Sequence, residues 1–304
     1  MPISKNVLVL GNCQARPVAT YLQEMTGEDF HYTPLIAHLS NVDYENDDLQ
    51  LLDTADLILS QPIADSFKAP HLATSLLKSR YANKVITWPN LFFIGQTPDI
   101  VTLRDNSGKV VVGPLESYQS AGVVNCWKQG MTVDQTVQHL QNELPFSAEM
   151  LENAIKVSLS NLIARESDLD VHISDFIQSK AESERLFFTF NHPTSRLLIE
   201  LCERLTRICD LHVIKRQIGE FGGEPLGRLT APTTTALANL LGLKFPYTNA
   251  CKGIEISIEN DNLVKGKSVI YSFHDFVKTS YMALEHQLTN DQSLSSTPPF
   301  EGLY

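Results

Sequence analysis

The sequence predicts an α/β protein built on a parallel sheet, with an additional, mainly helical region. In roughly the first 90 residues, short apolar runs alternate with segments of helical periodicity, which is typical of a parallel sheet covered by helices. After Pro89 helical patterns dominate. Hydrophobic residues make up 43% of the 304 residues, so the chain can bury a sizeable core.

Four apolar runs are predicted to form the sheet, at residues 6–10, 30–36, 56–60 and 84–88. The predicted helices between them span residues 15–25, 48–54 and 70–81, and Pro17 lies in the first turn of the first helix. Because strands alternate with helices, we expect the carboxyl ends of the strands to share one edge. Ligands bind at that edge in open parallel sheets.

The rest of the chain has weaker strand signals. Thr132 and Gln135 predict a capping box for a helix that ends near residue 142. Further helices are predicted at residues 147–166, 193–209, 233–241 and 272–287, and strands at residues 185–190 and 254–258. Residues 219–232 are predicted to be a Gly/Pro-rich loop, and residues 289–304 a loose tail.

The length favours two domains, at about 150 residues per domain. We expect residues 1–125 to form the α/β domain and residues 126–304 the mainly helical region. The strand at residues 185–190 is a candidate to rejoin the first sheet, in which case the two domains are interleaved.

Composition excludes several classes of function. The net charge is −11 and neither half of the chain is basic, so a general binder of nucleic acid or of anionic membranes is not expected. The chain has no CxxC motif and no apolar stretch of about 20 residues, and its first apolar run, residues 7–10, is far too short for the core of a signal peptide. We therefore expect a cytoplasmic protein with no transmembrane segment, no disulfide framework and no metal site. The five cysteines are Cys13, Cys126, Cys202, Cys209 and Cys251.

The most informative segment follows the first strand and reads Gly11, Asn12, Cys13, Gln14. Gly11 permits a tight turn, and the helix that follows presents unpaired N–H groups and a positive dipole end. This position is expected to lower the pKa of a cysteine, so Cys13 is a candidate nucleophile. The Asn12 amide and the N–H groups near Cys13 and Gln14 are candidate oxyanion donors. The alternative is a small cysteine that only fits a tight junction.

A second segment repeats this arrangement at residues 191–194, where a predicted strand runs into Asn191, His192, Pro193 and Thr194. His192 is therefore the histidine best placed to act as a general base toward Cys13 or a substrate hydroxyl. The alternative is helix capping by Asn191 or His192. Capping explains the asparagine and the proline but does not require a histidine.

Each segment has an arginine in the following helical turn, Arg16 and Arg196. An arginine at a helix N-terminus can bind phosphate in a bidentate manner. Arg80 lies in a third basic cluster with Lys78 and Lys84, at a predicted helix C-terminus. There an interaction with the helix dipole is favoured over phosphate binding, and Arg80 is retained as a third phosphate candidate.

Two further amides follow the third and fourth predicted strands. Gln61 and Asn90 lie at the same predicted sheet edge as Cys13, where they could donate hydrogen bonds to a substrate or an oxyanion. The neighbouring Pro62 and Pro89 are ordinary strand terminators. The sequence contains none of the motifs GxxxxGK[ST], GxGxxG and HExxH.

The chain resembles the WcbI-type polysaccharide biosynthesis family of bacterial capsule gene clusters. The resemblance rests on residues 11–14, 88–91, 118–130, 173–177 and 190–194, with GNCQ and NHPT as its most specific parts. It implies a protein that binds coenzyme A, with an acetyltransferase role on a capsular sugar. It also implies an α/β core distantly like that of SGNH hydrolases, and Cys13 and His192 as active-site residues. The chain lacks the Asp-x-x-His pair of the SGNH pattern near its C-terminus, so the resemblance assigns His192 no carboxylate partner.

The function hypothesis is acyl transfer from acyl-coenzyme A, most directly acetyl-coenzyme A, to a sugar hydroxyl. In one route Cys13 carries the acyl group as a thioester, and in the other His192 activates the hydroxyl for direct transfer. Both routes need Cys13 and His192 to face one cleft. Arg16, Arg196 and Arg80 are the candidates for the coenzyme A phosphates. The alternatives are an SGNH-like thiol esterase and a non-catalytic module that binds coenzyme A or glycan. The oligomeric state stays open, and a homo-oligomer is one outcome.

Overall fold

A computed structural model describes residues 5–214, 223–288 and 293–298. Its ten described helices are α1 (Ala15–Thr26), α2 (Glu45–Thr54), α3 (Thr74–Tyr81), α4 (Ala121–Lys128), α5 (Val133–Asn142), α6 (Ala148–Glu166), α7 (Ser174–Lys180), α8 (Ser195–Ile208), α9 (Thr235–Leu240) and α10 (Phe273–Gln287). Its described strands are β1 (Lys5–Gly11), β2 (Phe30–Ile36), β3 (Leu57–Ser60), β4 (Val85–Thr87), β5 (Ile100–Arg104), β6 (Tyr118–Ser120), β7 (Phe187–Thr189), β8 (His192–Pro193), β9 (Cys251–Glu259), β10 (Asn262–Tyr271) and β11 (Ser295–Thr297).

The chain forms two compact units that interleave along the sequence. The first unit comprises Met1–Phe92, Asn161–Gln178 and Pro193–Pro225. The second comprises Phe93–Ser160, Ser179–His192 and Leu226–Tyr304. The division therefore does not fall at residues 125 and 126, because later segments of the chain return to each unit.

The first unit contains the predicted parallel sheet. Its four strands lie in the order β2-β1-β3-β4, and every neighbouring pair is parallel. In this register Gly11 lies opposite Ile36, and Leu10 opposite Ser60. The carboxyl ends of the strands therefore meet at one edge, as predicted.

The strand β1 lies in the centre of this sheet. Its residues Val7, Leu8, Val9 and Leu10 are each at most 2% exposed. A parallel strand that is covered on both faces needs such a continuous apolar run. The helix α1 packs against α8, which buries Cys202 with its sulfur 3.8 Å from the carbonyl oxygen of Val18.

The second unit combines helices with short antiparallel sheets. Strands β11, β5 and β6 form one sheet in that order, and β9 pairs with β10 in a hairpin. The predicted capping box is confirmed, since Thr132 and Gln135 cap α5 reciprocally. Of the predicted tail, residues 295–297 form β11, whereas residues 289–292 and 299–304 lie outside the described residues, as do residues 219–222 of the predicted loop.

The strand predicted at residues 185–190 does not rejoin the parallel sheet. It is β7, and it pairs with the two-residue strand β8. Its neighbouring backbone groups bond within the second unit, because Phe190 accepts from the Phe93 N–H at 2.8 Å and Phe188 accepts from the Ala231 N–H at 2.9 Å. None of the described helices is long and apolar enough to cross a membrane.

Candidate active site

In the first unit, Cys13 lies in the turn between β1 and α1. Asn12 closes this turn in two ways. Its carbonyl oxygen accepts from the Ala15 N–H at 3.0 Å, and its side-chain oxygen accepts from the Gln14 N–H at 2.9 Å. Cys13 is partly exposed. Its thiol therefore lies at the carboxyl edge of the parallel sheet, within a turn that is fixed by its own side chains.

The glycine before this turn is required by packing. A Cβ atom on Gly11 would lie 2.6 Å from the side-chain oxygen of Gln61, which is well inside van der Waals contact. Gln61 is 3% exposed, and hydrogen bonds to Asn12 and Gln14 hold its amide in this position. The backbone of β1 at Gly11 thus lies so close to the Gln61 side chain that a Cβ atom would not fit without a shift.

Two buried glutamines bind the strand ends together. Gln61 Oε1 accepts from the Asn12 N–H at 2.8 Å, and Gln61 Nε2 donates to Gln14 Oε1 at 2.9 Å. Gln14 in turn pairs with the Leu91 backbone, donating to its carbonyl at 2.9 Å and accepting from its N–H at 3.1 Å. The side chains of Gln14 and Gln61, predicted as substrate or oxyanion ligands, are therefore engaged in holding the site together.

The asparagines of the same set are placed differently. Asn12 Nδ2 donates to Asn90 Oδ1 at 3.0 Å, and Asn90 is exposed. The amide nitrogen of Asn90 has no hydrogen-bond partner among the residues that the structure describes. Of the four predicted side-chain amides, those of Asn12 and Asn90 are thus the ones with an N–H group that can donate to a ligand.

Cys13 has a pKa above the ordinary value of a thiol. Burial raises this pKa, and the hydrogen bond from the Cys13 backbone N–H lowers it only in part. The sequence predicted a lowered pKa from the helix N-terminus. The prediction fails because desolvation outweighs the donor at this turn. The next N–H group, that of Gln14, is bonded to the Asn12 side chain. The thiol is therefore the resting form at neutral pH.

In the second unit, His192 lies in β8 against aromatic rings. Its imidazole packs edge-on against Tyr118, with ring centroids 5.5 Å apart, and Tyr118 packs edge-on against Phe190 at 5.3 Å. The Tyr118 hydroxyl lies 3.5 Å from His192 Nε2. His192 Nδ1 is buried and has no hydrogen-bond partner among the described residues.

Two charged groups act on this imidazole. The ion pair between Arg228 and Glu116 has a separation of 2.7 Å. The pKa of His192 is lowered to about 4, mainly by burial and further by the positive charge of Arg228, whereas Glu116 raises it in part. His192 is therefore neutral at pH 7, but it is a weak base in this state.

Helix capping does not explain His192. The N-cap of α8 is Thr194, and its first N–H group, that of Ser195, donates to the Glu224 carboxylate at 2.7 Å. Glu224 also accepts from the Ser195 hydroxyl at 2.8 Å. The anion position predicted at the start of this helix is thus occupied by a carboxylate of the chain itself.

The three candidate phosphate ligands have different surroundings. Arg196 stacks on Phe176 at 4.5 Å and lies 3.7 Å from Glu200. Arg80 forms two hydrogen bonds of 3.1 Å with the Asp53 carboxylate. Arg16 is exposed, and no carboxylate of the described residues pairs with it.

Several residues of these sites were not predicted. Glu116 and Arg228 form an ion pair across 112 positions of sequence, and neither belongs to a local motif. Glu224 follows a Gly-Gly pair that predicted only a loop. Tyr118 is the first residue of one segment that carries the family resemblance, which was the available signal.

Cys13 belongs to the first unit and His192 to the second. The described residues contain no cluster of three or more side chains of the types that ligate metals. The fold and the position of Cys13 define an α/β protein with a thiol at the carboxyl edge of a parallel sheet, which is the edge where such sheets bind ligands.

The family follows from comparison with known sequences. The family model described as polysaccharide biosynthesis enzyme WcbI matches residues 6–213, and the chain belongs to this family. A search of curated proteins finds no match.

A solved structure of WcbI, described as a novel polysaccharide biosynthesis enzyme, is similar to this chain with a TM-score of 0.73. The two chains are 16% identical, and the match covers 94% of this chain and 91% of the other. That structure is described as the native protein without a disulfide bond between coenzyme A and one of its cysteines. At this identity the likeness establishes the shared fold.

Proposed function

We propose that the chain is a coenzyme A-dependent O-acyltransferase that transfers an acetyl group to a sugar hydroxyl during the synthesis of a capsular or surface polysaccharide. The reaction takes place in the cytoplasm, where acyl-coenzyme A is available. The observation that carries the proposal is the position of Cys13, a partly exposed thiol at the carboxyl edge of the sheet in a member of the WcbI family.

The solved relative suggests which part of the ligand Cys13 meets. Its description names a disulfide between coenzyme A and one of its cysteines as a bond that the solved structure is without. Such a bond would require the two sulfur atoms to approach to about 2 Å, and that sulfur of coenzyme A is the atom that carries the acyl group. We infer that the Cys13 thiol lies beside the thioester. The amides of Asn12 and Asn90 then donate to the carbonyl oxygen as negative charge develops on it.

The protonation states favour direct transfer over an acyl-cysteine intermediate. Because burial raises the pKa of Cys13, little thiolate is present to attack a thioester. His192 is neutral at pH 7 and can accept a proton. In this route His192 removes the proton of the sugar hydroxyl as its oxygen attacks the thioester carbon. The carbon–sulfur bond then breaks, and the proton passes from His192 to the departing thiolate of coenzyme A.

Of the three arginines, Arg16 is the best placed to bind the phosphates of coenzyme A. It lies in the first turn of α1, three residues after Cys13, and no carboxylate of the described chain competes for it. Arg196 and Arg80 are held by Glu200 and Asp53, so a phosphate would have to displace those contacts.

The proposal is tested by incubation with acetyl-coenzyme A, with and without a panel of nucleoside diphosphate sugars. We expect release of coenzyme A that depends on one sugar, together with an acetylated sugar detected by mass spectrometry. Release at the same rate without any sugar would instead identify a thiol esterase. No turnover, combined with thermal stabilisation by coenzyme A, would identify a non-catalytic module.

The route is tested separately by intact-protein mass spectrometry after mixing with acetyl-coenzyme A alone. Direct transfer predicts no acetyl adduct on the protein. An adduct that is present in the wild type and absent in Cys13→Ala would replace the direct route with the covalent one.

A further inference from the structure

The charged pair beside His192 is carried by a strained turn of the second unit. Gly113 and Glu116 exchange two backbone hydrogen bonds of 2.8 Å. Glu116 has a φ of 58°, in the left-handed region that residues other than glycine seldom adopt. Such a conformation is strained and is maintained only where the surrounding contacts fix it. The turn thus holds Glu116 two residues before Tyr118, whose ring packs on His192.

The ion pair leaves most of the Arg228 side chain accessible. Arg228 is 56% exposed and Glu116 is 27% exposed, and they are joined through one nitrogen and one oxygen 2.7 Å apart. A guanidinium has five N–H donors in a planar fork that matches phosphate. Arg228 therefore has donors that face solvent while it still contacts Glu116.

The neighbours of His192 determine what such an exchange would do. Among the described residues, the Tyr118 ring and hydroxyl contact the imidazole, and the charges of Arg228 and Glu116 act on it. While the pair is closed, the positive charge of Arg228 opposes protonation of His192 and outweighs the opposite effect of the Glu116 carboxylate. A phosphate on Arg228 would cancel the positive charge and leave the Glu116 charge to favour the imidazolium.

We propose that Arg228 binds a phosphate or diphosphate group of a substrate, and that this binding makes Glu116 the carboxylate partner of His192. The inference rests on the proposed role of His192 as a general base. In the free protein His192 is a weak base. When the phosphorylated substrate binds, His192 becomes a stronger base and is better suited to general base catalysis.

The test follows the His192 imidazole by NMR in the full chain labelled at histidine, with its resonance assigned by its absence in His192→Asn. In the wild type we expect titration near pH 4, and an upward shift of about one unit or more with saturating inorganic pyrophosphate. Arg228→Gln should raise the pKa of His192 without pyrophosphate and remove the response. Glu116→Gln should lower it further and also remove the response.

Two further variants keep this test specific. Arg228→Lys retains the charge but not the fork, so the pKa of His192 should stay low and respond more weakly to pyrophosphate. Lys244→Gln breaks an exposed ion pair of 2.9 Å with Glu182 in the same unit and should change nothing. A wild-type His192 that does not respond to pyrophosphate, or an Arg228→Gln variant that responds fully, would overturn the proposal.

The source of the phosphate is distinguished by replacing pyrophosphate with coenzyme A or with a nucleoside diphosphate sugar. A shift with the sugar nucleotide alone assigns Arg228 to the acceptor, and a shift with coenzyme A alone assigns it to the donor. No acyl transfer is needed for this readout. A failure here is therefore distinguishable from a failure of the proposed transfer reaction.

Discussion

The two strand-to-helix junctions that contain Cys13 and His192 share a sequence pattern but differ in physical construction. At the first, buried amides of Gln14 and Gln61 pair with each other and with backbone groups. At the second, His192 packs against the Tyr118 ring and has a buried nitrogen without a partner among the described residues. The first junction is a rigid frame set by hydrogen bonds. The second is an electrostatic site whose proton affinity depends on nearby charges.

The helices that follow the two junctions differ in the same way. The first N–H group of α8 is bonded to the Glu224 carboxylate, which serves there as the anion. At α1 the side chain of Asn12 accepts one N–H group, and the exposed Arg16 lies in the first turn. A shared sequence pattern therefore does not imply a shared ligand site. The side chains that reach the helix end decide whether an external anion can bind.

The largest effect is expected at the second junction. His192→Asn should lower the rate of acetyl transfer about 10²- to 10⁴-fold, because general base catalysis contributes a factor of that size. His172→Asn, at an exposed histidine, is the matched control and should leave the rate unchanged. Steady-state assays with the identified sugar would measure both. A loss of less than tenfold in His192→Asn would remove the general base from the mechanism.

The same histidine should make stability depend on pH. Its pKa is about 4 in the folded chain and about 6.5 when unfolded, so between these values the unfolded state binds more protons. Stability should therefore fall as the pH drops from 6.5 to 4, by about 3 kcal/mol from this group. Urea unfolding at several pH values should show this loss in the wild type and a smaller loss in His192→Asn. Equal losses would contradict the buried, neutral imidazole.

The rigidity of the first junction can be tested by a double-mutant cycle. Gly11→Ala should cost about 1–3 kcal/mol, because the added methyl group meets Gln61 Oε1. In a Gln61→Ala background the same change should cost much less, since the obstructing side chain is gone. Gln61→Ala alone should cost about 1–3 kcal/mol by leaving buried partners unpaired, whereas Gln138→Ala at an exposed position should cost under about 0.5 kcal/mol. Additive effects of Gly11→Ala and Gln61→Ala would contradict the close approach.

The smallest effects are expected at Arg16 and Arg196, where substitutions should change different properties. Arg16→Gln should weaken coenzyme A binding roughly threefold to tenfold without changing stability, as expected for an exposed phosphate contact. Arg196→Gln should leave affinity unchanged and lower stability by about 0.5–1 kcal/mol, because Arg196 stacks on Phe176. Isothermal titration and urea unfolding would measure the two properties. The reverse result would show that the coenzyme A phosphates bind near α8 instead.

Local patterns predicted much of the fold. The alternation of apolar runs with helices predicted all four strands of the parallel sheet, and the Thr132–Gln135 spacing predicted the capping box of α5. The sequence predicted β9 but not its hairpin partner β10, because β10 is largely exposed and lacks an apolar run. The turn signal was nevertheless present, since Asn260 and Asp261 both adopt positive φ, as two-residue hairpin turns require.

The chemistry of the candidate site was less predictable than its location. The sequence located Cys13 at a sheet edge but gave the wrong direction for its pKa, since burial of the thiol cannot be read from the local pattern. The pairing of Glu116 with Arg228 and the contacts among Gln14, Gln61 and Leu91 also join distant parts of the chain. Such contacts have no periodic signature, so they follow from the fold and not from a motif.

The central claim is that the Cys13 thiol meets the sulfur of coenzyme A. The most direct measurement is intact-protein mass spectrometry after incubation with the disulfide of coenzyme A at mildly alkaline pH. Cys209 is the other partly exposed cysteine, with a pKa raised to about 11 by burial, and supplies the matched control. We predict one coenzyme A per chain in the wild type and in Cys209→Ser, and none in Cys13→Ser. Labelling that persists in Cys13→Ser would contradict the claim.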